Sequence, residues 1–311
     1  VHGDMNGVQI TGLANLAGGT MRGVQLAGIS NISGDNTVGL SAAGLVNITG
    51  DKAQGVIISG LTSIGGDNTS GLMISGFMNV TGNMASGLQF SGAANITGQS
   101  FGGLMASGLL NVVGEHMNGL QIAGIANITA SKLNGVQVAL CNYATKARGL
   151  QIGLVNYYKE DMKGFQLGLV NANPDTKVQM MVYGGNATPA NIGVRFKNQL
   201  FYTILGVGSM YQGLNDKFSA SASYRAGLSF PLYKGLSISG DLGYQYIEAF
   251  DNKDEVIPKR LYALQARANL EYQFTRKFGI FATGGYGVTR FYNKSSNYDK
   301  GAIIEAGIVL F

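Results

Sequence analysis

Histidine, cysteine and carboxylate are where chemistry would start, and this chain spends them sparingly. His2 and His116 are its only histidines, Cys141 its only cysteine. One cysteine permits neither an intrachain disulfide nor a cysteine-based metal cluster. No His, Cys, Asp or Glu set has metal-ligand spacing, and the two histidines read as solvated turn residues. "GDN" at 34–36 and 66–68, with Asp51 in the equivalent turn, has the composition of stacked calcium sites. The same position becomes Asn83, Gln99 and Ser131, and turn chemistry explains Asp or Asn after Gly without an ion. "NIT" at 47–49, 95–97 and 127–129 matches a glycosylation sequon but falls out of a repeat. Cys141, beside Leu140, reads as a buried inert thiol. No nucleophile–base–acid set, phosphate loop or carboxylate dyad assembles, so neither an enzyme, a cofactor site nor a small-molecule substrate is expected.

The elements that would hold any site are written in a repeat. Glycine recurs every sixteen residues from Gly7 through Gly23, Gly39 and onward to Gly135, and a second glycine from Gly12 to Gly124. Asparagine keeps the period at Asn15, Asn31, Asn47, Asn79, Asn95, Asn111 and Asn127, with Ser63 in the gap; shorter units follow at Gly149 and Gly164, carrying Asn156 and Asn171. A strict period dictates a solenoid. Two or three glycines per unit, many β-branched residues and the alternation of Val8 and Ile10 about a Gln disfavour helices and favour short strands. Each unit becomes a coil: strand, glycine corner, strand, glycine-rich turn, with two- and three-sided versions both open. About eleven coils at about 4.8 Å per rung predict a rod of roughly 50 Å. The aliphatic positions (8, 24, 40, 56; 10, 26, 58; 16, 32, 48, 64) are expected inside. The Asn is expected at a bend, bonding backbone groups coil upon coil.

Between those positions, Ala27, Ala43, Ser59, Ser75, Ser91, Ser107 and Ala123 are expected to face outward, where a free solenoid would show Lys and Glu. Val46, Met78 and Leu110 share a further position, with Ile57, Met73 and Met105 nearby. Of these, Val46, Met73, Met78, Met105 and Leu110 form a candidate docking face for another protein or for the lipid boundary. "GLQIAGIANIT" at 119–129 and "GLQIGLVN" at 149–156 resemble the surface-repeat β-solenoid proteins of bacterial outer membranes, of Bacteroidota and spirochaetes. That resemblance covers just over half the chain and implies architecture more than function.

After "NANPDTK" the rhythm changes. Over 261–274, Tyr262, Leu264, Ala266, Ala268, Leu270, Tyr272 and Phe274 alternate with Gln265, Arg267, Asn269, Glu271 and Gln273; 218–230 and 236–246 alternate likewise. Segments of 11 to 15 residues are long enough to cross a bilayer tilted. Eight strands are expected, at 177–183, 190–197, 200–211, 218–232, 236–250, 261–274, 278–292 and 301–311. Aromatics mark two rims: Phe196, Tyr202, Phe230, Phe274 and Phe278 at one, Tyr211, Phe250, Phe291 and Tyr292 at the other. Connections alternate short (197–199, 233–235, 275–277) with long (212–217, 251–260, 293–300). This half resembles the eight-stranded barrels of the outer-membrane-protein A type, in which a terminal aromatic, here Phe311, is the expected insertion signal. Arg195, Arg225, Asp241, Arg267 and Glu271 are expected to project inward and neutralise one another, giving a plugged anchor rather than a pore. Glu305 departs from the alternation of its strand.

The chain is therefore expected to be all-β, a parallel β-solenoid over 1–174 and an eight-stranded antiparallel transmembrane barrel over 175–311. With 48 Gly, only 4 Pro and 45% hydrophobic residues it is neither collagen nor disordered. A net charge of +5 without basic clusters gives no nucleic-acid footprint. No run of 18 apolar residues offers a transmembrane helix, and a start at Val1 fits a processed export precursor. The function expected is a non-enzymatic outer-membrane protein whose barrel anchors a rigid scaffold, more periplasmic than extracellular, that binds other envelope proteins. A surface adhesin or ligand binder, a narrow pore and a soluble fibre are the alternatives.

Overall fold

A computed structural model describes residues 2–209, 211, 214, 218–250, 260–292 and 297–311. The chain divides into two compact units, 1–168 and 169–311.

In the first unit, as far as Ala123, each coil holds a strand of seven or eight residues and one of four, as in Met84–Ser91 with Ala94–Thr97. Each pairs in parallel with the strand sixteen residues on, so Gly87 lies on Gly103 and Gly103 on Gly119. Eleven glycines from Gly7 to Gly164 have φ between 103° and 146°. L-residues rarely adopt this region. A Cβ on Gly103 would also strike the carbonyl oxygen of Gly87 one rung below, which is why the residue recurs without exception. At 129–131 the turn sequence changes to Thr-Ala-Ser, and without its glycine the short strand runs on into the next long one, as Ala126–Val138. A register shift between Thr129 and Lys132 absorbs the lost residue and brings Asn127 onto Asn142 and Gly135 onto Gly149.

The expected inside and outside of the coil are exchanged. Val8 and Ile10 are 60% and 70% exposed, and Ile58, Leu88 and Ile122 are exposed as well. Ala43, Ser59, Ser75 and Ala123, expected outside, are buried. The interior combines amide and hydroxyl (Gln25, Gln121, Gln137, the Asn row, and Thr49, Thr81 and Thr97) with an apolar row that includes Met21, Phe101, Met117 and Leu133. Period-two alternation does not say which face is inside. Amides win the interior because each bonds its equivalent one rung away, and such bonds strengthen when water is absent.

The second unit contains a closed barrel of eight strands: Lys177–Gly185, Ala190–Asn198, Phe201–Ser209, Ser219–Tyr233, Leu236–Ala249, Arg260–Thr275, Phe278–Phe291 and Asn297–Leu310. All neighbours pair antiparallel, and Met180 on Leu310 closes the ring. Lys177, Phe311 and the turns at 199–200, 234–235 and 276–277 share one rim. Much of the longer connections expected at 212–217, 251–260 and 293–300 lies outside the described residues.

Candidate functional site

Two sets of side chains do more than fill space, and the first is the ladder inside the coils. The amides of Asn15, Asn31, Asn79, Asn95, Asn111 and Asn127 each donate to the next Asn, at 2.8–3.1 Å. Each also donates, at 2.7–3.0 Å, to a backbone carbonyl eleven residues on, just before the corner; Asn47 makes the same carbonyl bond at 2.6 Å. Asn142, absent from the expected set, carries the ladder from Asn127 to Asn156. Its spacing of fifteen and the local "CNY" hide it in the sequence. At the Ser63 gap, hydroxyls take over: Ser41 donates to Asn47 and Ser75 to Asn79, with Ser59 between Ser63 and Ser75. Because Asn47, Asn95 and Asn127 are buried and bonded, their sequons offer no amide to modify.

A second ladder, of glutamine, was not foreseen. Gln137 donates to Gln121, Gln151 to Gln137 and Gln166 to Gln151, each at 2.8 Å. Met73 and Met105 occupy the same row, with their sulfurs 3.9 and 3.8 Å from the amides of Gln89 and Gln121. These two methionines and Ile57 are therefore core, not docking face. Methionine fits there because it matches glutamine in length and its sulfur accepts weakly. Val46, Met78 and Leu110 remain half-buried on the outward side of the short strands. Cys141 is exposed, contrary to the buried thiol expected, because it lies in register with Ala126 at the outward-facing first position of the short strands.

The second set is the barrel lumen. Arg195 grips Glu271 with two nitrogens, at 2.6 and 3.0 Å, and gives its Nε to Gln179. Arg225 grips Asp241 at 2.8 and 2.8 Å, and Asp241 also accepts from Tyr202 and Asn269, both at 2.8 Å. Arg267 meets Glu305 at 3.2 Å twice, and Arg225 Nη1 stands 3.6 Å from the same carboxylate. Glu305 therefore does not break its strand's alternation. It points inward with Ile303 and Val309 and supplies the third carboxylate for three guanidiniums. Bidentate forks of this kind fix geometry as well as charge.

Met181, Tyr183, Ile204, Phe281 and Val309 cluster with Tyr202 among these ion pairs, and Tyr211, Leu214, Ile247, Leu261 and Ala263 pack towards the rim opposite the short turns. Towards the short-turn rim, Gln179, Lys197, Glu271 and Gln273 line a cavity of ≈ 600 Å³. A void of ≈ 10 Å³ between Arg195, Tyr202 and Arg225 holds one water at most. Three residues expected in the aromatic rims face inward instead. Tyr202 bonds Asp241 and Phe291 packs on the inner cluster, each following its strand's parity, and Tyr211 shares a 2.7 Å bond with Thr289.

Among the described residues the outer wall carries no charge between the rims: Leu242, Leu264, Ile304 and Val207 are exposed, and outward charges such as Glu248, Arg260 and Arg290 stand at strand ends. Aromatics pair near one rim (Tyr272–Phe274, Phe274–Phe278) and near the other (Phe218–Phe250, Tyr244–Tyr262, Tyr262–Tyr292).

No family model matches the chain, and no curated protein does. Among solved structures it is similar to the N-terminal β-barrel domain of Pseudomonas aeruginosa OprF, at 17% identity and TM-score 0.29, over 43% of this chain and 93% of that one. It is also similar to Neisserial surface protein A, at 8% identity and TM-score 0.27, over 43% of this chain and 92% of that one. Neither likeness extends to function.

Proposed function

We propose that this chain is a non-enzymatic outer-membrane protein in which a sealed barrel anchors a rigid β-solenoid scaffold for other envelope components. One observation carries the anchor: an uncharged apolar wall with aromatic rims surrounds a lumen whose three cations and three anions are paired. Hydrocarbon accepts such a wall because strand pairing closes around the ring and leaves no open sheet edge. At the level of those pairs the described lumen leaves a void of only ≈ 10 Å³. Reconstituted in a planar bilayer, the full chain is expected to leave the membrane without steady current. A stable, ion-selective conductance would reject the sealed anchor.

The scaffold role is supported by rigidity. Stacked rungs, tied by an Asn ladder interrupted at Ser63 and by a Gln ladder from Gln121 to Gln166, hold a surface in fixed register, as repeat proteins that bind partners do. Both ends of the barrel lie on the short-turn rim, which in such barrels faces the periplasm, so the solenoid belongs there too. Protease applied to intact cells tests this placement: loss of residues 1–168 from the outside would move the solenoid to the surface and favour the adhesin reading.

A further inference from the structure

We propose that the solenoid lies along the inner face of the bilayer, its aliphatic flank against acyl chains and its charged edge in water. This rests on the outer-membrane reading above and names what the scaffold's largest surface touches.

Charge is partitioned within every coil. Each charged side chain described between 2 and 168 falls within the five residues before a positive-φ glycine: Asp4 before Gly7, Arg22 before Gly23, Lys132 before Gly135, Lys163 before Gly164. From each such glycine to the end of the next short strand there is none, in any rung. That second stretch presents hydrocarbon outward. The first and third residues after the glycine, from Val8 and Ile10 to Phe165 and Leu167, are all apolar, and so are the corners at Leu45, Leu61, Phe77 and Ile125.

Two magnitudes choose the occupant. Eleven rungs of about 4.8 Å, by about five residues of strand, make a flank of roughly 50 by 17 Å, about 850 Å². The largest apolar patch on an ordinary monomer is about 300–600 Å². Protein interfaces of this size carry about one hydrogen bond per 100–200 Å². The first and third positions offer no side-chain nitrogen or oxygen in any rung, which suits acyl chains rather than a protein surface. The charged edge runs the length of the stack, so an axis crossing the bilayer would drag that row through hydrocarbon. An axis lying along the surface keeps it wet. Within the second unit, the segment entering the barrel also follows the outer wall: Thr203 and Asn198, on outward positions, donate to the carbonyls of Leu169 and Asn171 at 3.1 and 2.6 Å.

The native Cys141, exposed on the outward side of a short strand, provides the probe without mutation. The full chain would be reconstituted in phospholipid nanodiscs with a nitroxide on Cys141. In a Cys141→Ala background, the label would go on Ile58→Cys (flank), Asn118→Cys (charged edge) or Ile304→Cys (barrel wall). Collisions with dissolved oxygen report lipid, and collisions with an aqueous nickel chelate report water. The expected result is that Cys141, Ile58→Cys and Ile304→Cys collide with oxygen and lose collisions with nickel, whereas nickel reaches Asn118→Cys. Nickel at both flank probes with a lipid-exposed Ile304→Cys overturns the proposal and spares the anchor. Nickel at Ile304→Cys overturns the anchor itself. Flank probes shielded from both reagents mean that protein, a second copy or another, covers the flank, and that also overturns it.

Discussion

Asp241→Leu is expected to cost the barrel about 3–5 kcal/mol of unfolding free energy, the range for stripping a buried ion of its partner. Arg225 is 1% exposed and directs two of its nitrogens at Asp241. Tyr202 and Asn269 lose the same acceptor. Glu305 cannot take over, because it stands 3.6 Å from Arg225 and is already held by Arg267. Urea titration of the full chain in detergent micelles, read by the mobility of unheated samples, measures the loss. Removing both charges, as Arg225→Met with Asp241→Leu, is expected to recover most of it, because neither ion is then left unpaired. A single variant within about 1 kcal/mol of wild type would show that water reaches Arg225, since exposed pairs contribute at that level.

The barrel's eight strands were legible in the sequence to within about four residues at their ends, and the reason lies in its chemistry. A strand with Arg267, Asn269 and Glu271 on one side and Leu264, Ala266, Ala268 and Leu270 on the other declares its faces by polarity alone. The lumen charges follow from the same parity. Glu305 escaped because its inward neighbours, Ile303 and Val309, are apolar, so it looked like the exception in a strand whose faces differ little. Tyr202 escaped because an aromatic near a strand end looks the same whether it turns out to an interface or in to a carboxylate.

The solenoid gave up its period and hid its polarity. Both faces of each strand satisfy an aliphatic-in pattern, since Gln25 lies between Val24 and Leu26 while Ala43 and Ser59 could pass for a tolerated surface. The deciding signal was the recurrence of Gln9, Gln25, Gln89, Gln121, Gln137, Gln151 and Gln166 in one row. A lone polar residue between aliphatics reads as surface, whereas one repeated at successive rungs, as from Gln121 to Gln166, can bond its own copies and so be buried. The charge partition used above was equally visible in the sequence. Its weight depends on knowing that the aliphatic stretches face outward.

Asn111→Leu should be the most damaging change inside the solenoid that leaves the backbone geometry alone. Leucine fills the space but severs the ladder on both sides: Asn95 loses its acceptor at 3.0 Å, and Asn127 and the Ile122 carbonyl lose donors at 2.9 and 2.7 Å. Buried groups left without a partner cost about 1–3 kcal/mol each. Asn95 keeps the Ala106 carbonyl, so the sum should be about 3–4 kcal/mol. Ser63→Ala, at the natural gap, removes one hydroxyl contact at 2.8 Å and should cost about 1 kcal/mol. Rungs couple to nearest neighbours, so the damage should stay local. Amide hydrogen exchange on the full chain is expected to lose protection around residues 95–127 in the first variant and to change little around 47–79 in the second. Equal loss in the two would mean that stacked backbone, not the amide row, holds the coils together.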